Sequence, residues 1–275
     1  MVVVTFFSLL VSIQLALVLS VQACPTEPTK FPANGKFDYQ IGAPYTPAAG
    51  VKIVERDHSQ SPVKGLFNIC YLNAFQTQPE QKSFWTSSAN KDLLLHTKAG
   101  ALFEDKEWKG EYFLDTTTDA KRKRLAKILN GWIDECANKG FNAIEPDNLD
   151  TFTRSKGLLT ADNNLALAKL FTDHAHSRGL LVAQKNTGGE LGSKGKTKAG
   201  FDFAVAEECN AYDECGAYTD VYGAKVIEIE YTDADNASAN FKAACKARGS
   251  KISIILRDRQ VVASSNKKEY HYEEC

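Results

Sequence analysis

The stretch NAIEPDNLDTF, residues 142–152, runs from two apolar residues, Ala143 and Ile144, straight into three carboxylates, Glu145, Asp147 and Asp150. Acids this dense usually mark a solvated loop, yet these follow a segment that reads as a buried strand. Just upstream, residues 118–138 place Leu125, Ile128, Leu129, Trp132, Ile133 and Cys136 at helical spacing, and Lys139-Gly140 supplies a stop signal. A helix, a glycine stop and then a strand is the repeating element of an alternating α/β chain.

The same alternation continues on both sides. Strand-like runs occur at FDYQIG (37–42), VKIVERD (51–57), GLFNICYLNAF (65–75), EYFLD (111–115) and FNAIEPD (141–147). Further ones follow at LLVAQKN (180–186), DFAVAEEC (202–209), AKVIEIEY (224–231) and KISIILRD (251–258). Helical patterns fill 160–178, opened by Thr160 as a cap and ended at Gly179, and about 233–248, ended at Gly249. Repeated strand–helix units imply a parallel sheet with right-handed crossovers. At roughly 250 residues after a leader, an eight-stranded β/α barrel of the TIM type fits best, with one of nine strand candidates in excess. An open doubly wound sheet is the runner-up. Its nucleotide-binding members are disfavoured because no glycine-rich phosphate loop follows a strand. GELGSKGKTKAG (189–200) lacks that spacing and reads as a flexible loop.

Composition fits a single globular domain: 275 residues, 43% hydrophobic and 24% charged. A formal net charge of −1 gives no global field favouring nucleic acid or an anionic membrane. The run Lys121-Arg122-Lys123-Arg124 reads as a solvated helix face. Residues 2–21 are almost wholly apolar and lead to Val21-Gln22-Ala23, a small-residue cleavage signal, so residues 1–23 read as a secretory signal peptide. Residues 24–275 then form one exported domain, expected to be monomeric and free of membrane once the signal is removed. In an exported chain several of the seven cysteines should pair. Cys209 and Cys215 could close a short loop, and Cys24 and Cys275 could staple the mature termini. Spacing does not decide the pairing. No CxxC pair or His–Cys neighbour suggests zinc, and no metal or other cofactor is expected. Asn236-Ala237-Ser238 is a glycosylation sequon consistent with export.

A barrel gives the acids a common address, because the C-terminal ends of all its strands converge on one face and chemistry sits there. The strand ends supply Glu55 and Asp57, then Asp115, then Glu145, Asp147 and Asp150, then Glu207 and Glu208, Glu228 and Glu230, and Asp258. Negative charge is thus gathered on one rim of a nearly neutral molecule. Clustered carboxylates raise one another's pKa, which can split a pair into an acid and a base, and they attract a cationic ligand. Two blander readings of EPDNLD stand beside this: an Asx turn ending a strand, and a calcium loop, although the twelve-residue ligand series is missing.

These strings, taken in order, resemble glycoside hydrolase family 114, the secreted endo-α-1,4-polygalactosaminidases of fungi and bacteria. The resemblance runs from about Phe37 to Tyr231 and rests on FDYQIG, ICYLNA, GEYFLD, KGFNAIEPDNLD, GLLTADNNLALAKLFTDHAHSRGL, VAQKN and DFAVAEECNAYDEC followed by IEIEY. It implies a β/α barrel that cuts α-1,4-linked galactosamine polymers, a cationic amino-sugar polysaccharide where it is not acetylated. The family's PDN and NEQC motifs fall on Asp147 and Glu207, which the resemblance therefore implies as the catalytic pair. Glu208 stands in the place of the family's Gln, and strand alternation points it away from Glu207. The resemblance also implies pocket roles for Gln40, Tyr71, Lys185, Asn186, Glu230 and Tyr231. The acidic rim adds Asp57, Asp115, Glu145, Asn148 and Asp150 as substrate-binding candidates.

Phe37 stands where the family usually has Trp, and Ala206 where Asn is usual. The second change would remove a polar neighbour of Glu207. It keeps alive a non-catalytic amino-sugar-binding protein on the same scaffold, which would bind oligomers without releasing reducing ends. A metal-dependent barrel enzyme, with EPDNLD and Glu207 or Glu230 as oxygen ligands to Mg²⁺ or Ca²⁺, is a further alternative that a chelator would test. His58, near a strand end, could line the pocket, whereas His174 and His176 read as packing or surface residues.

Overall fold

The computed structural model describes Met1 and residues 29–275. The expected signal peptide and Cys24 lie outside the described residues. Nine strands form one sheet in chain order. They are β1 (Phe37–Tyr39), β2 (Ile53–Asp57), β3 (Phe67–Asn73), β4 (Ala143–Asp147), β5 (Leu181–Lys185), β6 (Phe203–Glu207), β7 (Val226–Tyr231), β8 (Ser253–Arg257) and β9 (Tyr272–Glu274). Strands β1 to β8 pair in parallel with their sequence neighbours, and each lies within a segment expected from the sequence. The sheet curls into a nearly closed TIM-type barrel.

The excess candidate is EYFLD. Residues 111–115 lie in a long excursion between β3 and the following helix, held by isolated antiparallel bridges such as Gln76 with Phe113 and Leu94 with Leu114. Both are buried there, Phe113 in a small separate core with Leu95, Phe103 and Leu159, and Leu114 against the main helix-facing core, so the apolar run does not enter the barrel wall. The ninth strand is instead the C-terminal β9, antiparallel to β8. Its sequence, YEE, carries no strand pattern of its own. Pairing comes from position: the Tyr272 hydroxyl donates to the Phe37 carbonyl at 2.9 Å, and Glu274 pairs with Lys36, so β9 laces the seam between β8 and β1.

Four longer helices pack outside: α1 (Asp119–Lys139), α2 (Ala161–Ser177), α3 (Cys215–Tyr222) and α4 (Ala237–Arg248). Caps set their ends. Thr118 accepts from the Lys121 amide at the start of α1, and Gly140 ends it in the left-handed region at φ 94°. Thr160 and Asn163 form a reciprocal capping box on α2. The β1–β2 and β2–β3 connections carry no helix, so the barrel has fewer than eight β/α units. GELGSKGKTKAG is not a loose loop either. It winds into two short helical turns, Gly188–Leu191 and Gly195–Ala199, with Leu191 and Ala199 buried. Gly195 is required there, because a Cβ would lie 1.9 Å from Gln184 Oε1.

Strand alternation builds two cores. Phe37, Ile53, Ile69, Ala143, Ala183, Phe203, Val205, Ile227, Ile229 and Ile255 fill the barrel interior, with Phe31 packed on Phe67 and Phe203 at its N-terminal end. Cys70, Leu72, Ile144, Val182, Ala204, Ala206, Val226, Ile254 and Leu256 face the helices. Three disulfides add covalent ties: Cys70–Cys136, Cys209–Cys215 and Cys245–Cys275. Cys275 is therefore joined to α4 and does not staple the termini. The Cys70–Cys136 bond closes a 66-residue span between β3 and α1. The chain-entropy argument assigns such a loop about 4 kcal/mol. Replacing both cysteines with alanine should lower the melting temperature by about 10 °C in a thermal scan. An unchanged melting temperature would show that the helix docks without the bond.

Candidate active site

At the C-terminal ends of the strands opens a cavity of about 580 Å³. Lys185, the last residue of β5, stands at its floor with only 2% of its side chain exposed. Its ammonium touches three carboxylates: Glu145 at 3.0 Å, Asp147 at 3.2 Å and Glu207 at 3.3 Å. One atom therefore bridges Asp147 Oδ1 and Glu207 Oε2, and those two oxygens can be no farther apart than the sum of the two contacts, 6.5 Å. Burial works against the lysine's charge, but its three carboxylate neighbours outweigh that and hold it protonated well above the usual range.

Each acid of the pair has its own support. Tyr71 donates its hydroxyl to Asp147 Oδ2 at 2.7 Å, and the Asn148 amide donates to Oδ1 at 2.7 Å. Burial opposes the Asp147 charge, yet Lys185, the Tyr71 hydroxyl and the Asn148 N–H together keep its carboxyl below the usual range. Tyr231 donates to Glu207 Oε1, and the Asn186 side-chain amide donates to Oε2 at 2.9 Å while its oxygen accepts from the Glu207 backbone amide. The backbone turns sharply to make these bonds. Asn148, Asn186, Thr187 and Glu208 all take positive φ, between 51° and 64°, directly after β4, β5 and β6. Four non-glycine residues in the left-handed region at three adjacent strand ends mark a site where geometry is held by its surroundings.

Of the residues picked from the sequence, Asp57, Tyr71, Asp147, Asn148, Asp150, Lys185, Asn186, Glu207 and Tyr231 line this cavity. Asp57 receives Gln78, and Asp150 is held by Arg154 at 2.7 Å. Four others sit elsewhere. Glu145 is 0% exposed, inside the barrel beneath Lys185, where burial foremost and Asp147 next push its carboxyl to about 6 although Lys185 pulls it down. Gln40 is spent on Asp38, Arg56 and the Tyr45 amide. Asp115 accepts from Thr117 and pairs with Lys121 at the start of α1. Glu230 points outward from β7, because its neighbours Ile229 and Tyr231 face the barrel interior, and it accepts the Asn210 amide. Glu228 likewise faces out, paired with Arg248 at 2.8 Å.

Ala206 sits in the core between strands and helices, so an asparagine there would point away from Glu207. The polar neighbour of Glu207 is Asn186. Glu208 turns to Arg259, which also holds Asp233. His58 stacks on Trp132, while His174 and His176 pair with Asp134 and Asp202 on helix surfaces. Where a cation could be sought between Asp147, Glu145 and Glu207, the Lys185 ammonium already stands. Elsewhere among the described residues, Cys209, Cys215 and Glu228 cluster at metal-ligand spacing, but the two sulfurs are bonded to each other.

Several wall residues carry no strand-end signal. Glu107, Trp108 and Glu111 come from the excursion after β3, and Glu190, Tyr212 and Glu214 from loops after β5 and β6. Trp108 and Tyr212 remain 46% and 71% exposed, as platforms in a polar cleft. Burial pushes Glu111 up to about 7 against the hydrogen bonds of Gln76 and Asn73. In all, nine carboxylates and three cations line the cavity, and each cation is already paired with acids.

Two supported carboxylates facing one cleft at the top of a barrel are the equipment of glycoside hydrolysis. Residues 19–275 match the family model of glycoside-hydrolase family GH114. The chain belongs to this family. Among solved structures, the GH114 chain is similar to Aspergillus fumigatus Ega3 in complex with galactosamine, at 22% identity and a TM-score of 0.69, covering 91% of this chain and 99% of that one. It is also similar to the glycoside hydrolase domain of PelA from Pseudomonas aeruginosa, at 13% identity and a TM-score of 0.55, covering 83% and 96%. At those identities the two structures speak for the fold. No curated protein sequence matches. As a GH114 member the protein is a glycoside hydrolase, and among the described residues no helix is long and apolar enough to cross a membrane.

Proposed function

We propose that this GH114 enzyme is exported and cleaves α-1,4-linked galactosamine polymers with retention of configuration, using Asp147 as nucleophile and Glu207 as acid and base. The observation that carries the reading is the Lys185 ammonium seated between the two carboxylates. Its contacts cap their nearest oxygens at 6.5 Å, against separations of about 5–5.5 Å for retaining and 6.5–9.5 Å for inverting enzymes. Asp147 suits attack because Lys185, the Tyr71 hydroxyl and the Asn148 N–H hold its carboxyl below the usual range and so ionised. Glu207 suits proton exchange because its side chain is the more open of the two, 25% exposed against 18%.

In the first step Asp147 attacks the anomeric carbon while Glu207 gives its proton to the departing glycosidic oxygen. In the second, Glu207 takes a proton from water, which displaces Asp147 and frees the sugar. Lys185 steadies both carboxylates and balances the negative charge that returns to Asp147. Trp108 and Tyr212 offer faces for sugar C–H groups, and the surplus acids suit the ammonium of an unacetylated amino sugar. That fits the galactosamine named with Ega3.

Incubation with deacetylated and fully acetylated α-1,4-galactosamine polymers tests the substrate. Reducing ends should accumulate from the deacetylated polymer, and kcat/KM should fall with added salt as the attraction is screened. Equal cleavage of the acetylated polymer would remove the role of charge. Binding without any reducing ends would return the protein to a sugar-binding role.

A further inference from the structure

Beneath the catalytic pair lies a second, closed set of acids that the reaction does not touch. Glu55 of β2 and Glu145 of β4 both project into the barrel and both are 0% exposed. Neither oxygen of Glu55 has a hydrogen-bond partner, and neither does Oε2 of Glu145. The other Glu145 oxygen receives Lys185 at 3.0 Å and the Tyr39 hydroxyl at 3.4 Å. Two ionised carboxylates cannot sit side by side in an apolar barrel with three oxygens unsatisfied. A single proton pairs two of the three oxygens and leaves only a neutral carbonyl oxygen without a donor. Carried by Glu55, it turns that group into a neutral acid and gives its hydroxyl the empty Oε2 of Glu145 as acceptor.

We propose that Glu55 is held as a neutral carboxylic acid that donates to Glu145, and that the ionised Glu145 sets one negative charge below Lys185 and thereby positions the working pH range of the Asp147–Glu207 site. Facing the pair are Tyr39 from β1, Tyr71 from β3, Lys185 from β5, and Asp147 and Glu207 at the strand ends above. Lys185 is the one cation of that set. Burial foremost, and Glu145 next, push Glu55 far above the ordinary carboxyl range, in agreement with the unpartnered oxygens. The two glutamates are thus positioning residues, acting on the chemistry through Lys185.

The infrared carbonyl stretch of a protonated carboxyl is the direct test, and it does not depend on the glycosidase reading. It should be recorded at about pH 9, clear of Glu111 and Glu230, whose carboxyls are raised to about 7. The wild-type enzyme should show the band, it should shift on ¹³C-glutamate labelling, and Glu55→Gln should abolish it. A wild-type spectrum without the band overturns the proposal whether or not any variant folds.

The second arm rests on Asp147 and Glu207 being the reacting acids. Glu55→Gln keeps a neutral donor toward Glu145, so both limbs of the kcat/KM pH profile should stay in place. Glu145→Gln removes a negative charge, so both limbs should move to lower pH by roughly one unit, as losing a nearby like charge predicts. A shift in Glu55→Gln with none in Glu145→Gln would place the charge on Glu55, and equal shifts would mean that both are ionised; either result overturns the assignment. A surviving infrared band with two unmoved profiles would leave the protonated acid but remove its influence on the site.

Discussion

Asp147→Asn should lower kcat on the galactosamine polymer by at least about 10³-fold, the loss expected when a group acting in the transition state is removed. The amide fills the same space beneath Tyr71 and beside Lys185, so the melting temperature should change little. The sharper result comes from a smaller side chain. Asp147→Gly empties the position from which attack occurs, and a small anion such as azide can enter it. If Asp147 is the nucleophile, azide should restore turnover and the product should be the β-glycosyl azide, formed with inversion from the α-linked sugar. The wild-type enzyme, by contrast, should first release the α-anomer, as followed by proton NMR. A β-anomer from the wild type would mean that water attacks directly, and the 6.5 Å limit set by Lys185 would then have to relax when substrate enters.

Glu207→Gln should cost about 10²–10⁴-fold on the polymer, whose leaving group is a sugar hydroxyl that must be protonated. A galactosaminyl fluoride leaves without help, so the same variant should lose far less in the first step on that substrate. Later turnover would then stall at the glycosyl-enzyme, since no base remains to activate water, and a burst of fluoride should be seen. Asp147→Asn should be equally slow on both substrates. If the two variants lose activity in parallel on polymer and fluoride, Glu207 is not the acid. Asn186 adds a milder version of the same test, because its amide both orients Glu207 and accepts the Glu207 backbone N–H.

Both expectations depend on residues that the sequence makes visible for a simple reason. Parallel barrel strands carry their chemistry at their C-terminal ends, so EPD, QKN and AEE, each closing an apolar run, pointed to one face. Helix ends were equally plain at Gly140 and Thr160, where caps depend on residues a few positions apart. Period-two alternation carried more information than a count of acids. Tyr231 and Glu230 are adjacent on β7, so they cannot both face the site, and Ile227 and Ile229 settle that Tyr231 does. The same alternation sends Ala206 and Glu207 to opposite sides of β6.

Depth along a strand is another matter. Glu145 and Asp147 share a face of β4, yet one is sealed in the barrel and the other opens on the cleft, because register against β3 and β5 decides which layer each occupies. Glu111 and Trp108 reach the site on an excursion whose path is set by isolated bridges and its own small core. Strand β9 exists because the end of the chain finds an open edge, not because YEE prefers a strand. The sequence by itself determined the barrel, its eight parallel strands and the acidic rim at its mouth, since each follows from local periodicity and from where strands stop, while the family resemblance singled out Asp147 and Glu207 within that rim. Tertiary structure alone decided that Lys185 would stand between those acids, that Asn186 and not residue 206 would steady Glu207, and that Glu55 would lie sealed beneath them beside Glu145. Each of these depends on side chains from different strands meeting inside a closed barrel, and no spacing along the chain encodes that meeting.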